Sequence, residues 1–229
     1  MEEIETAIDA LRRGDPIMIY DDDKREAEVD LVYHASKVTY REVHELRVNA
    51  GGLICFVIDS RTREALNIPW GDELISMAGH LSPLSSKKLS YGDKPAFTIW
   101  VNYAGVRTGI SDEDRALTIS KLYTIVRMVH EGRVEEAREL FLQWFQAPGH
   151  VPILASRGLS RRRGHTELSI AMAILAGLTP AMVISEMLGE RHSLSIAEAM
   201  VISKKRNIPL VRGSSIVEAC MKDEVCRGS

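Results

Sequence analysis

The chain has 229 residues, of which 45% are hydrophobic and 27% are charged. This is enough apolar material for a substantial core, so we expect one domain over residues 1–229 that folds without help. A formal net charge of −3 excludes a general electrostatic attraction to nucleic acid or to anionic membranes.

The sequence also limits where the protein is expected to work. No apolar run approaches the ~20 residues of a membrane-spanning helix, and the N-terminus lacks the basic start and apolar core of a secretion signal. Cys55, Cys220 and Cys226 do not show the spacing of a zinc site or of a disulfide framework. These features predict a soluble cytoplasmic protein with unpaired cysteines and no membrane partner.

In the first half of the chain, apolar spacing and turn residues predict helices and strands in irregular order. The predicted elements are a helix near 4–11, a strand at 17–20, a helix from the Thr39–Glu42 capping box to Gly51, a strand at 53–58 and a strand at 96–103. Residues 70–94 are expected to form a long connection, with brief order at 74–78.

The second half alternates more regularly between the two kinds of element. Ser111 or Asp112 is expected to cap a helix reaching His130, and capping boxes are expected at Ser195 and Ser215. The other predictions are helices at 134–145, 165–176, 195–206 and 215–221, and strands at 151–155, 181–186 and 208–211. Because the order lacks a strict βαβ rhythm, we predict an α+β fold of three layers, with a mixed twisted sheet flanked by helices.

An acidic segment at residues 21–30 is the first candidate for chemistry, because six carboxylates crowd ten positions. In an extended chain Glu26, Glu28 and Asp30 would project from one face. Oxygen ligands of this kind suit Mg²⁺, which usually keeps several waters. A solvated acidic loop is the alternative, and composition alone favours it.

Two segments could bind phosphate. Residues 107–115 combine hydroxyls, a glycine and a helix start, which can hold phosphate oxygens, although an ordinary capped helix explains the same pattern. Residues 161–167 bring three arginines next to His165 and Thr166, which could clamp a phosphate while the imidazole binds a metal ion. A basic surface loop is the competing interpretation.

Three single residues could take part in proton transfer or line a site. His150 follows what the sequence suggests is a Pro148-Gly149 turn, where an imidazole could exchange protons or simply lie at the surface. Glu186 ends an apolar run, so it is either a tuned base at a cleft or an exposed acid. Cys55 lies within an apolar strand, where a thiol usually packs as a small apolar group.

Taken in order, these segments resemble the 3,4-dihydroxy-2-butanone 4-phosphate synthase family along nearly the whole chain. The matching motifs are the acidic loop at 23–30, the glycine-to-cysteine strand at 51–55, the T-G-I-S loop at 108–111 with Asp114-Arg115, P-G-H-V at 148–151 and G-H-T-E at 164–167.

The resemblance implies a stand-alone, archaeal-type lyase of riboflavin biosynthesis. It would convert ribulose 5-phosphate into formate and 3,4-dihydroxy-2-butanone 4-phosphate, using Mg²⁺ or Mn²⁺ with two ions per site. The family is homodimeric with active sites near the subunit boundary, so some side chains are expected to act across it. A fused cyclohydrolase domain and a nucleic-acid partner are not expected.

The resemblance also implies roles for individual residues. Glu26 and His165 would bind the metal ions, and Asp21 would line the pocket. The implied catalytic residues are His150, Glu186, Glu28 and Cys55. The implied substrate-binding residues are Arg25, Glu26, Asp30, Thr108, Arg162, Gly164, His165, Thr166 and Glu186.

Some positions depart from the family pattern. Ala147 precedes the P-G-H motif where arginine or a small polar residue is common, and Lys24 stands in the acidic loop in place of an acidic or polar residue. The usual Asn-Asp pair does not follow the strand of Glu186, and the segment at residues 70–94 is longer than in many relatives.

The alternative function is a nucleotide- or RNA-binding module of related fold without lyase activity, using the arginines at 161–163.

Overall fold

The computed structural model describes residues 2–87 and 92–227, and within these a seven-stranded mixed sheet organises the chain. Its strands are β1 (Ile17–Tyr20), β2 (Val29–His34), β3 (Cys55–Ile58), β4 (Phe97–Tyr103), β5 (Phe145–Ala155), β6 (Ala181–Glu186) and β7 (Leu210–Arg212). Their spatial order is β4-β5-β3-β6-β2-β1-β7. The β1–β7 and β3–β5 pairs are parallel, whereas the other neighbouring pairs are antiparallel.

Helices cover both faces of this sheet. They are α1 (Glu2–Arg13), α2 (Tyr40–Asn49), α3 (Ser60–Ala65), α4 (Gly71–Met77), α5 (Asp112–His130), α6 (Val134–Trp144), α7 (His165–Leu175), α8 (Ile196–Arg206), α9 (Gly213–Lys222) and α10 (Glu224–Arg227). Buried residues of α2, α5, α6 and α8 form one core with the sheet, and those of α1, α7 and α9 form the other. The predicted α+β class, with helices flanking a mixed sheet, is therefore confirmed.

Side chains of the central strands alternate between the two cores. In β3, Phe56 and Ile58 face one core while Cys55 and Val57 face the other. Because both sides are buried, such strands are apolar throughout rather than alternating between apolar and polar residues. This explains why the short apolar runs of the sequence are strands.

The strand β2 was not predicted, although it lies in the middle of the sheet between β6 and β1. All six of its residues are buried, including Asp30 and His34, so no alternation of polar and apolar residues marks it in the sequence. The short helix α3, capped by Asp59, also escaped the sequence patterns.

The prediction that Pro148, Gly149 and His150 form a turn is wrong. They lie inside β5, which begins at Phe145 rather than at Val151. The first half of β5 pairs with β4 alone, and that pairing has register shifts. Proline lacks an N–H donor and is tolerated at such irregular edges of a sheet, which is why a proline-glycine pair does not end the strand here.

The long connection at 70–94 contains α4 and a 3₁₀ helix at Gly79–Leu84, so the expected local order at 74–78 is confirmed. Its beginning is anchored by Trp70, whose ring centroid lies 3.5 Å from the guanidinium carbon of Arg157. Residues 88–91, which belong to this predicted connection, lie outside the described residues.

Two of the three capping boxes expected from the sequence are present. The Thr39 and Ser195 capping boxes are confirmed, but the one at Ser215 is wrong because α9 already begins at Gly213.

The prediction of unpaired cysteines is wrong for Cys220 and Cys226, which form a disulfide. The chain turns back between α9 and α10, and this brings together two cysteines whose spacing matches no common framework. None of the described helices has the length and apolarity required to cross a membrane.

Candidate functional site

A cavity of about 380 Å³ lies where the ends of β2, β3 and β6 meet the start of α7. Residues predicted separately from four parts of the sequence line it together. They are Glu26, Glu28, Asp30, Cys55, Arg162, His165, Thr166 and Glu186. The fold therefore gathers most of the predicted site residues into one space.

Asp21 gives the acidic loop its shape. Its carboxylate accepts hydrogen bonds from the backbone N–H groups of Glu26 and Glu28, both at 3.1 Å, and from Arg25 at 3.1 Å. The expected extended geometry of residues 26–30 is wrong at its start, because the loop turns through Ala27 (φ 56°) and becomes a strand only at Val29. Glu26, Glu28 and Asp30 nevertheless all line the cavity.

His165 lies among carboxylates at the inner end of this cavity. Its Nδ1 is 3.5 Å from Glu26 Oε2 and 3.7 Å from Asp30 Oδ1. Its Nε2 lies 3.2 Å from the backbone carbonyl of Glu28, which can only accept, so Nε2 carries a hydrogen. The lone pair of the neutral ring is then at Nδ1, on the side that the two carboxylates face.

The pKa values indicate that this position attracts positive charge. Burial by itself lowers the pKa of His165, but Asp30, Glu26 and Asp21 outweigh it and raise that pKa to about 9. Burial also raises the pKa of Asp30 to about 6. Asp21, Glu26 and His165 each offer a donor atom, all within 4.8 Å of one another. A set of carboxylates and one imidazole nitrogen fits a divalent cation.

Glu28 and Glu186 form a second pair of carboxylates beside the cation position. Ser193 Oγ lies 2.6 Å from Glu28 Oε1 and 2.9 Å from Glu186 Oε1, so one hydroxyl bridges them. Burial raises the pKa of Glu28, and the nearby charges of Glu186 and Glu26 add to that effect, although the Ser193 hydrogen bond opposes it. A carboxylate whose pKa is raised is a stronger base than that of an ordinary glutamate, which suits it to accept a proton.

The predicted arginine run separates into one buried and two exposed side chains. Arg161 and Arg163 are exposed, whereas Arg162 is buried and lines the cavity. Arg162 pairs with the fully buried carboxylate of Glu167 at 2.6 Å. Asp93 lies 3.2 Å from Arg25 and 3.7 Å from Arg162, so two arginines from distant segments converge on one carboxylate.

Gly164 permits this arrangement, because a Cβ atom there would lie 2.5 Å from Arg162 Nη1 and 2.7 Å from Arg25 Nη2. It is also the N-cap of α7, and the buried Thr166 follows within the first turn of that helix. Two guanidinium groups next to a helix N-terminus form a chemically suitable place for a phosphate group.

Thr108 and His150 are not among the residues that line this cavity. Both are exposed and lie near the buried Asn102, whose Oδ1 accepts a hydrogen bond from the His150 backbone at 2.8 Å. Gly109 has a φ of +92° and packs against the Asn102 side chain, and Asp114 accepts hydrogen bonds from the Thr108 and Gly109 backbone. We call Asn102, Thr108, Gly109 and His150 the His150 patch.

Cys55 lines the cavity from its apolar side. The residue is 5% exposed, and burial together with the charge of Asp30 raises the pKa of its thiol well above the ordinary value. The thiol therefore stays neutral at neutral pH, and its predicted catalytic role stays a prediction.

Sequence reasoning missed three residues of the site. Glu167 was matched only as part of a motif, Asp93 lies in a segment interpreted as a connection, and Ser193 had no signal at all. Glu167 could have been found as the third residue after Gly164, because its carboxylate completes a capping interaction with the Gly164 backbone at 3.3 Å.

The fold and the cavity together define a class of protein: an α+β enzyme with a carboxylate and histidine cation site beside an arginine site for an anionic group. The family model described as 3,4-dihydroxy-2-butanone 4-phosphate synthase matches residues 5–219. The chain belongs to this family.

Individual relatives agree with this result. The chain is 40% identical to a 3,4-dihydroxy-2-butanone 4-phosphate synthase from Methanosarcina acetivorans, over 96% of this chain and 92% of that protein. It is 37% identical to the protein of the same name from Methanothermobacter thermautotrophicus, over 96% of both. A crystal structure of a 3,4-dihydroxy-2-butanone 4-phosphate synthase in complex with two magnesium ions aligns with a TM-score of 0.73 and 25% identity, covering 96% of this chain and 97% of that one. The alternative of a nucleotide- or RNA-binding module is not supported.

Proposed function

We propose that this protein is a lyase that converts ribulose 5-phosphate into 3,4-dihydroxy-2-butanone 4-phosphate and formate in riboflavin biosynthesis. The observation that carries the proposal is one cavity in which Glu26 and His165 lie 3.5 Å apart, with Arg162 on its wall. Membership of the family supports the same reaction.

The cation is proposed to be Mg²⁺, with Mn²⁺ as the other candidate and two ions per site. Glu26 and His165 would hold it, since their donor atoms already face each other. Asp21 is less suited, because its oxygens already accept three hydrogen bonds from the acidic loop. A bound divalent cation supplies Lewis acidity to carbonyl and hydroxyl oxygens of a sugar phosphate.

The side chains around the cation are proposed to have two functions, substrate binding and proton transfer. Arg25 and Arg162, with Gly164 and Thr166, would bind the phosphate and fix the substrate at a distance from its reacting carbons. Glu28, Glu186 and His150 would move protons, because proton removal, loss of water and release of formate each need a donor or an acceptor. Asp30, 5% exposed and next to His165, would orient that ring and contact substrate hydroxyls.

The working form is proposed to be a cytoplasmic homodimer of one-domain chains, with residues 1–229 as the domain. Within the His150 patch, Thr108 and His150 are exposed and do not line the cavity of their own chain, which supports a role for these two residues in the site of the partner subunit. An active site shared in this way needs a symmetric dimer.

Incubation of the purified protein with ribulose 5-phosphate and Mg²⁺, followed by detection of formate, tests the proposal. Formate is expected with the metal ion, none with excess chelator, and recovery on re-addition of Mg²⁺. Absence of formate at every metal concentration, with Mg²⁺ or Mn²⁺, would refute the function.

A further inference from the structure

The chain makes a tight hairpin directly after Glu186. Leu188 and Ser193 form an antiparallel bridge, and backbone hydrogen bonds of 2.8 Å join Gly189 to His192 and Leu194 to Met187. The Met187 N–H also donates to the carbonyl of Val29 at 2.7 Å, which fixes the hairpin to β2. These backbone contacts hold the hairpin closed without any help from the Ser193 side chain.

The Ser193 hydroxyl is therefore not needed to hold the hairpin. It contacts the carboxylates of two predicted catalytic residues, Glu28 and Glu186. Oγ lies 2.6 Å from Glu28 Oε1 and 2.9 Å from Glu186 Oε1. A hydroxyl carries one hydrogen, so it donates to one carboxylate at a time and can redirect its donation to the other by rotation. The two carboxylates come from different segments, the loop that leads into β2 and the end of β6, and both line the cavity, so the hydroxyl joins two of its walls.

We propose that Ser193 is a positioning residue for the reaction, whose hydroxyl holds Glu28 and Glu186 in the orientation from which they exchange protons with the substrate. Without the hydroxyl, two neighbouring carboxylates repel each other and lose a common hydrogen-bond partner. The inference rests on the proposed lyase function and adds to it a residue that the sequence motifs do not contain.

Ser193→Ala tests the proposal, with Ser193→Thr as the rescue variant, because threonine keeps the hydroxyl. Since the loss falls on groups that act in the chemical step, kcat of Ser193→Ala is expected to fall about tenfold or more while KM changes little. Ser193→Thr is expected to recover most of kcat, and the melting temperature of both variants is expected to stay near that of the wild type.

Ser195→Ala is the matched control, two residues along the same segment. Ser195 caps α8 through a reciprocal pair of contacts with Glu198, and it does not line the cavity. Its loss is expected to lower the melting temperature while kcat is unchanged. The two serine variants thus separate an effect on chemistry from an effect on folding.

The outcomes distinguish this inference from the proposed function. A wild-type protein that releases no formate refutes both. A wild-type protein that turns over, with a Ser193→Ala kcat within twofold of it, overturns the positioning role alone. The role is overturned equally if Ser193→Thr is as impaired as Ser193→Ala and both melt early, because that pattern describes a structural residue.

Discussion

His165 links the arginine run at 161–163 to the acidic loop. It is the first residue of α7, which follows the arginine run, and its ring faces the acidic loop. Its ring contacts Glu26 and Asp30 on one side and the Glu28 carbonyl on the other. Buried polar groups that are fully partnered are fixed in position, so the ring is held ready to bind a cation rather than moving freely.

Loss of a cation ligand is expected to abolish the reaction without unfolding the protein. Glu26→Gln replaces an anionic ligand by a neutral amide and His165→Ala removes the imidazole, and neither side chain belongs to the two hydrophobic cores. Formate release is expected to drop by at least about a hundredfold, in line with the loss of a metal ligand or its support. Formate assays and circular dichroism measure the two properties.

The exposed His80→Ala provides the control for a change from histidine to alanine, and it is expected to keep full activity. Undiminished turnover in Glu26→Gln or in His165→Ala would contradict the assignment of these residues as ligands.

Glu167 is expected to matter for both stability and substrate binding. Its buried carboxylate pairs with Arg162 at 2.6 Å and accepts a hydrogen bond from the Arg157 backbone at 3.0 Å. Removing one partner of a buried ion pair leaves the other uncompensated, so Glu167→Gln is expected to lower the free energy of unfolding by about 3 kcal/mol. Because Arg162 loses its support, KM is expected to rise as well.

Urea unfolding and steady-state kinetics measure these effects. The control Glu64→Gln removes an exposed contact with Arg63 and is expected to cost less than about 1 kcal/mol. Equal stability of the two variants would show that the Arg162 pair contributes no more than a surface contact.

At the scale of helices and strands, the sequence predicts elements well where a local signal exists. Ser111 caps α5 as expected, because its hydroxyl accepts from the Asp114 backbone at 3.0 Å. The strand β2 has no such signal, since burial on both faces removes the alternation by which a strand is detected. The prediction of a turn at Pro148–His150 failed for a related reason. Whether this segment turns or stays extended depends on its pairing with β4, which is distant in sequence.

One interaction between elements makes a prediction about pH. Asp112, at the start of α5, contacts Arg47 and His44 of α2, and hydrogen bonds from Arg47 and Arg115 hold its pKa at about 2. A carboxyl whose folded pKa is lowered stabilises the fold above its ordinary pKa of about 4 and loses that contribution as the pH falls further.

Asp112→Asn is therefore expected to lower the melting temperature by about 2 °C near neutral pH, a modest effect because the side chain is partly exposed. The difference between variant and wild type is expected to close as the pH falls from about 4 to about 2. Thermal melts at several pH values test this, and a difference that does not change with pH would contradict it.

For the whole molecule, the sequence motifs identify which residues belong to the site but not how the site is completed. Glu26 meets Arg162 and His165 in the cavity only because β2 lies beside the start of α7, a contact that no local pattern encodes. Ser193 and Asp93 join from segments without motifs. Thr108 and His150 were predicted for the same site, yet both are exposed and neither lines the cavity.

A mixture of two inactive variants decides whether the His150 patch serves a partner. In a Glu26→Gln and His150→Ala heterodimer, a shared arrangement leaves one site with both residues intact, whereas sites built within one chain are all broken. Random pairing gives half heterodimers, so co-expression of the two variants is expected to recover about a quarter of wild-type activity. Glu26→Gln with His165→Ala is the control, because both residues line the same cavity and no heterodimer restores it. Recovery in the first mixture and none in the second would establish that His150 acts across the boundary between subunits. If neither mixture recovers activity, His150 does not act in the site of the partner subunit.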